Sequence, residues 1–333
     1  MISNKRSRKS SAVTALSLMT ILVAHGIAIT QAKPEAMIAD DATDKLVYLM
    51  NTLAAKERNP LLRRHFESIA RFATDTSHGV SITEQDNETA ADVQRFFESE
   101  GAKWETYASG PRPLIMSFKS ATDGKYSYYW LFLPKNYDVK KVDYPFYFEL
   151  HGSGGGSNNN PRKMVYLALQ PEVKGVAAQG YRREGFYVYP WGRGDKGYRD
   201  IAEKDVLEVL ADFDTMFKTD PARQYIYGFS MGAAGTLRLA QLTSGRWAAI
   251  AAYSGSMNNP TAENMEKLGT LPVWLAWGEL ETRLTDANTT LEKLLLETGH
   301  EVKTTIIKDV GHRYLGEYQE AMLDWLNTHQ KKK

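Results

Sequence analysis

Gly228-Phe229-Ser230-Met231-Gly232-Ala233-Ala234-Gly235 reads as a serine held at a sharp turn from a strand into a helix. Ahead of it, Arg223-Gln224-Tyr225-Ile226-Tyr227 is a short β-branched and aromatic run, the composition of a buried strand. Behind it, Ala233 to Leu242 is rich in helix formers and carries apolar residues at helical spacing. Glycines on both sides of Ser230 let the chain turn tightly and let neighbouring backbone come close. Such a turn exposes the serine oxygen at the top of a sheet. It also sets the Met231 amide at a helix N-terminus, where negative charge is stabilised.

Upstream, the strand-like Pro145-Phe146-Tyr147-Phe148-Glu149-Leu150 runs into His151-Gly152-Ser153-Gly154-Gly155-Gly156. A glycine cluster after a buried strand frees backbone N–H groups to converge on one point. Acyl transfer needs that, because charge develops on the carbonyl oxygen in the transition state. Glycine-rich runs followed by residues such as Ser157-Asn158-Asn159-Asn160 also serve as plain linkers. The position, directly after one strand and well ahead of the serine turn, favours Ser153 and Gly154 as donors beside Met231.

A general base and an acid must follow. Downstream of the turn the histidines are His300, His312 and His329. His300 closes a helix-like segment and His329 lies in the polar tail. His312 follows the strand-like 302–308 and a short turn, and is the expected base. After the strand-like Pro272-Val273-Trp274-Leu275-Ala276-Trp277-Gly278, the carboxylates are Glu279, Glu281 and Asp286. The acid must accept from one imidazole nitrogen and stabilise the imidazolium. Glu281, three residues past Gly278, is the first choice. Asp286 is the runner-up, and suits equally well the cap of a helix from Ala287 to Leu296.

From about residue 125 to 330 the chain resembles secreted α/β-hydrolases of the esterase, polyhydroxybutyrate-depolymerase and prolyl-oligopeptidase-like group. The resemblance rests on His151-Gly152-x-Gly154-Gly155, Pro190-Trp191-Gly192-Arg193-Gly194, Asp205-Val206 opening a helix, Asp220-Pro221-x-Arg223 and the serine turn itself. It departs at Gly278-Glu279-Leu280-Glu281, where the group carries Gly-x-x-Asp. The resemblance implies an α/β fold with a mostly parallel sheet covered by helices on both faces. It also implies hydrolysis of esters, short-chain or carrying a carbohydrate or aromatic group, through an acyl-serine. A peptidase of the same fold, or a binding protein on a hydrolase scaffold, is the alternative.

The 333 residues suit one such domain, expected over 111–330, preceded by a helical extension over 33–110. In that extension Asp44 to Lys56, Pro60 to Thr74 and Thr89 to Glu100 read as amphipathic helices, the third started by Thr89. Residues 113–120 and 126–133 read as an opening hairpin. Residues 1–32 read as a signal peptide: Lys5, Arg6, Arg8 and Lys9, then an apolar run, then small residues. An uncleaved anchor is the rival reading; His25 and Gly26 interrupt the apolar run and favour cleavage. Cleavage takes four positive charges and no acid from a net +1, leaving −3. The expected location is therefore secreted or periplasmic, with no stable insertion in a membrane.

With no cysteine the chain has neither disulfides nor thiol chemistry. Its balanced charge gives no basis for nucleic-acid binding, and no spacing suggests a metal or another cofactor. The expected partner is an ester substrate, small or linked to a polysaccharide. Trp191, Trp277 and Tyr314 fall near strand ends, where their rings would stack on sugar or aromatic groups. Arg193 would bind a substrate carboxylate, or else pair with Asp205 or Asp195.

Overall fold

The computed structural model describes residues 42–75, 84–99, 113–154, 164–165, 168–169 and 184–331. The signal segment expected over 1–32 lies outside them. The described residues all belong to one compact unit, Ala39–Lys333.

Among the described residues three helices come first: α1 (Ala42–Lys56), α2 (Pro60–Thr74) and α3 (Glu84–Ser99). A sheet of eight strands follows: β1 (Leu114–Lys119), β2 (Tyr126–Phe132), β3 (Phe146–Leu150), β4 (Phe186–Pro190), β5 (Gln224–Phe229), β6 (Ala249–Tyr253), β7 (Val273–Gly278) and β8 (Val302–Ile307). Between and after the later strands lie α4 (Ile201–Met216), α5 (Met231–Leu242), α6 (Ala262–Leu268), α7 (Thr282–Glu297) and α8 (Gly316–Asn327). The strand order is β1-β2-β4-β3-β5-β6-β7-β8. β2 runs against both of its neighbours, and every pairing from β4 to β8 is parallel.

Every residue of β3, β4, β6 and β7 is buried, as expected of parallel strands covered on both faces. That is why these segments, Glu149 of β3 apart, are runs of apolar and aromatic residues with no alternation. β8 closes one edge and is mostly half-exposed. The other edge, β1, is closed by helix α2. The Ile115 N–H donates to Nδ1 of the buried His65 (2.8 Å), and the Ser117 N–H donates to Ser68 Oγ (2.9 Å). Arg64 donates to the Ser117 carbonyl (2.8 Å) and pairs with Asp212 of α4 (2.7 Å). Side chains of one helix thus satisfy the ladder groups that an edge strand leaves open.

Three helix starts differ from expectation. Thr89 lies within α3 and does not cap it. Asp205 does not open α4; it is buried in its second turn. Asp286 is not a cap either, because α7 begins at Thr282 and holds Leu284, Asn288, Leu291 and Leu295 at three- and four-residue steps against the core. In each case an acid or threonine that suits a cap sits inside a helix whose start is set by the apolar stripe.

Candidate active site

The parallel strands bring their carboxyl ends to one edge of the sheet, where open α/β sheets place their ligand sites. Ser230 follows β5 there. Its backbone has φ 56° and ψ −117°, a strained conformation for a residue with a side chain, held by its N–H donating to the Tyr253 carbonyl (2.8 Å). The flanking glycines are sterically required. A Cβ on Gly232 would stand 1.9 Å from the Leu150 carbonyl oxygen, and one on Gly228 would stand 2.5 Å from the Gly232 backbone.

His312, on the loop after β8, meets Ser230: Nε2 lies 2.8 Å from Oγ. On the other side of the ring, Nδ1 lies 2.6 Å from Oε1 of Glu281. A carboxylate at Nδ1 selects the tautomer with its proton there, which leaves the Nε2 lone pair facing the serine hydroxyl. Glu281 is the residue just before α7, and its side chain is only 6% exposed. Its second oxygen accepts from Ser254 Oγ (2.8 Å) and from the Gly278 N–H (2.7 Å). Both oxygens are engaged, so the carboxylate is held in the imidazole plane's reach. Phe229 stacks on His312 with centroids 5.1 Å apart and planes at 29°.

The remaining expected site residues divide. Met231 is the first residue of α5, so its amide is among the helix N–H groups without an intrahelical acceptor. Ser153 lies on the loop after β3. The preceding Gly152 passes beside the nucleophile, where a Cβ would stand 3.5 Å from Ser230 Cβ. Gly154 differs from expectation: its amide points at Asp195, donating to Oδ2 at 3.3 Å. His151, at the root of this loop, is buried with Nδ1 against the Gly152 carbonyl (2.8 Å) and Nε2 against that of Trp191 (2.9 Å); burial pushes its pKa down.

Arg193 is not available to a substrate. It bonds the fully buried Asp205 at 2.7 Å and Asp123 at 3.2 Å, and is itself 9% exposed. Burial pushes the Asp205 carboxyl up against the pull of Arg193 and Ser127. Trp277 is wholly in the core, its indole N–H donating to Thr285 (2.9 Å). Trp191 is half-buried between Tyr128 and Arg193, and Tyr314 packs edge-on to Phe229 behind the histidine. Asp286 is exposed on α7 and makes no contact with His312. Ser254, Gly278 and Phe229 were not expected at the site. Ser254 also has a positive φ (51°), for which a non-glycine residue carries no sequence signal.

Comparison with known proteins agrees with this architecture. A thermostable esterase of solved structure is 21% identical with a TM-score of 0.52, over 66% of this chain and 63% of that one. The fold is that of the α/β-hydrolases. Residues 208–330 match the family described as phospholipase/carboxylesterase. The chain is also similar to a ferulic acid esterase from Anaeromyces mucronatus (14% identity, TM-score 0.49, 65% of this chain and 90% of that one). A third similar structure is fluorophosphonate-binding serine hydrolase F of Staphylococcus aureus (13%, 0.49, 64% and 97%). No curated protein sequence matches the chain. The chain spans less than two thirds of the thermostable esterase's length. Among the described residues no helix is long and apolar enough to cross a membrane.

Proposed function

We propose that this α/β-hydrolase is a serine esterase, exported with residues 1–32 as its signal segment, acting on carboxylic esters of short acyl or carbohydrate or aromatic character. The observation that carries this reading is the unbroken line Ser230 Oγ–His312 Nε2 (2.8 Å) and His312 Nδ1–Glu281 Oε1 (2.6 Å). The match of residues 208–330 to carboxylesterases supports it.

In this reading Ser230 Oγ attacks the ester carbonyl carbon and passes its proton to His312 Nε2, while Glu281 stabilises the imidazolium. The Met231 amide and one from the Ser153 loop hold the charge that develops on the carbonyl oxygen. Collapse breaks the carbon–oxygen bond to the alcohol, which leaves with the proton from His312, and the acyl group stays on Ser230. Water then adds to the acyl carbon and gives a proton to His312. The bond to Oγ breaks, the acid leaves, and Ser230 recovers its proton. Glutamate serves as the acid at a position where its longer side chain reaches the ring from the residue preceding α7.

Hydrolysis of p-nitrophenyl acetate and butyrate by the purified protein tests this. Ser230→Ala is expected to lower kcat by about 10⁴-fold or more, and fluorophosphonate to label Ser230. Absence of both turnover and labelling would exclude a serine hydrolase.

A further inference from the structure

A cleft of about 320 Å³ opens beside the serine turn. One wall is helix α5 from Ala234, whose N–H bonds the Ser230 carbonyl (3.2 Å) one turn from the nucleophile. The other wall is the segment after β6. There Ser254 holds Glu281, and Gly255 packs so tightly that a Cβ would stand 2.4 Å from the Ser230 carbonyl oxygen. The next residue, Ser256, lines the cleft. A helical turn rises about 5.4 Å, so the cleft begins about one turn along α5 from the backbone of the nucleophile.

The lining mixes polar groups with Ala234, Leu242 and Met257, and its charged side chains carry one sign. Arg199, Arg238 and Lys267 line the cleft, and no Asp or Glu does. Glu203 holds Arg238 through Nε (2.5 Å), and Glu263 holds Lys267 (2.7 Å). Arg199 is exposed and has no ion-pair partner among the described residues, so its charge is uncompensated. Ser256 Oγ is buried with no hydrogen-bond partner among the described residues, and Asn258 adds an amide. The volume is at the small end of the roughly 300–1,000 Å³ of small-molecule sites, which suits one ring.

The geometry points to a binding site, in this cleft, for an anionic, hydroxyl-rich ring of the hexuronate type, forming one side of the ester cleaved at Ser230. Arg199 takes the carboxylate as a charge-assisted, two-pronged contact. Asn258 takes a ring hydroxyl. This inference rests on the esterase reading above and narrows its substrate.

The test compares acetate release from mono-O-acetyl-D-glucuronate and from mono-O-acetyl-D-glucose by the purified protein. The expected preference for the uronate is roughly ten- to hundredfold in kcat/KM, the worth of a hydrogen bond to a charged group, carried by KM. Arg199→Ala is expected to bring the two esters to within about threefold, and Arg199→Lys to retain part of the preference, because the charge persists without the fork. Equal use of the two esters, or a preference that survives Arg199→Ala, overturns the assignment. If neither ester nor p-nitrophenyl acetate is hydrolysed, the esterase reading fails. The cleft is then decided by calorimetry with D-glucuronate and D-glucose: binding of the uronate alone, lost in Arg199→Ala, upholds the site. No binding, or equal binding of both sugars, refutes it.

Discussion

Glu149 lies on β3, two residues before His151, buried in the middle of the sheet. Tyr227 donates to its Oε2 at 2.8 Å and Gln319 at 3.1 Å, with Tyr189 as a further hydrogen-bonding neighbour. These bonds favour the carboxylate, but none brings a positive charge, and burial outweighs them. The pKa is pushed up from 4.5 to about 7. A tenfold change in proton affinity is about 1.4 kcal/mol, so this shift amounts to about 3 kcal/mol. The folded-state pKa is the higher one. The group's full contribution is therefore present below pH 4.5, is lost progressively as pH rises, and is gone once pH passes about 7. Glu149→Gln keeps the shape and an accepting oxygen but cannot ionise. Urea unfolding of both proteins from pH 5 to 8 isolates this one group, because every other titration cancels in the difference. The variant is expected to gain about 2–3 kcal/mol relative to the parent across that range. A difference that stays flat within about 0.5 kcal/mol would refute the reasoning, since the carboxyl would then ionise alike in folded and unfolded chains.

Other outcomes follow from the contacts described. Ser254→Ala removes one of the two donors on the outer oxygen of Glu281 and is expected to lower kcat by roughly tenfold with KM nearly unchanged; an unaltered kcat for p-nitrophenyl acetate would remove Ser254 from the site. Arg193→Ala leaves Asp205 buried without its cation and is expected to cost about 3–5 kcal/mol, read by urea unfolding at pH 7. Arg193→Ala, Asp205→Asn together should recover much of that loss. His65→Ala strands the Ile115 N–H and is expected to cost about 1–3 kcal/mol, with light scattering reporting association through the opened β1 edge.

Local chemistry was legible in the chain itself. The glycine-flanked Ser230, the largely apolar and aromatic runs of β3, β5 and β7, and a histidine on a loop just past the last strand each depend on residues close in sequence. Backbone sterics and burial act over a few residues there, so pattern suffices. The segments of β1, β2, β3, β5, β7 and β8, and the pairing of Ser230 with His312, were readable in this way, whereas β4 and β6 were not singled out. What required the tertiary structure were choices among equivalent groups. Glu281 and Asp286 lie five residues apart on one loop-to-helix segment. Only the start of α7 at Thr282, set by its apolar stripe against the core, turns the first toward His312 and the second to solvent. Arg193 reads either as a ligand-binding cation or as the partner of Asp205 or Asp195, and only the burial of Asp205 beside it decides for the ion pair, since a buried carboxylate demands a partner. Trp277 sits at a strand end yet is wholly enclosed, because burial depends on what the neighbouring helix covers. Ser254 and His65 act through single hydrogen bonds between segments 27 and 50 residues apart. Such pairings carry no periodicity along the chain; they exist only once the sheet and its helices have packed.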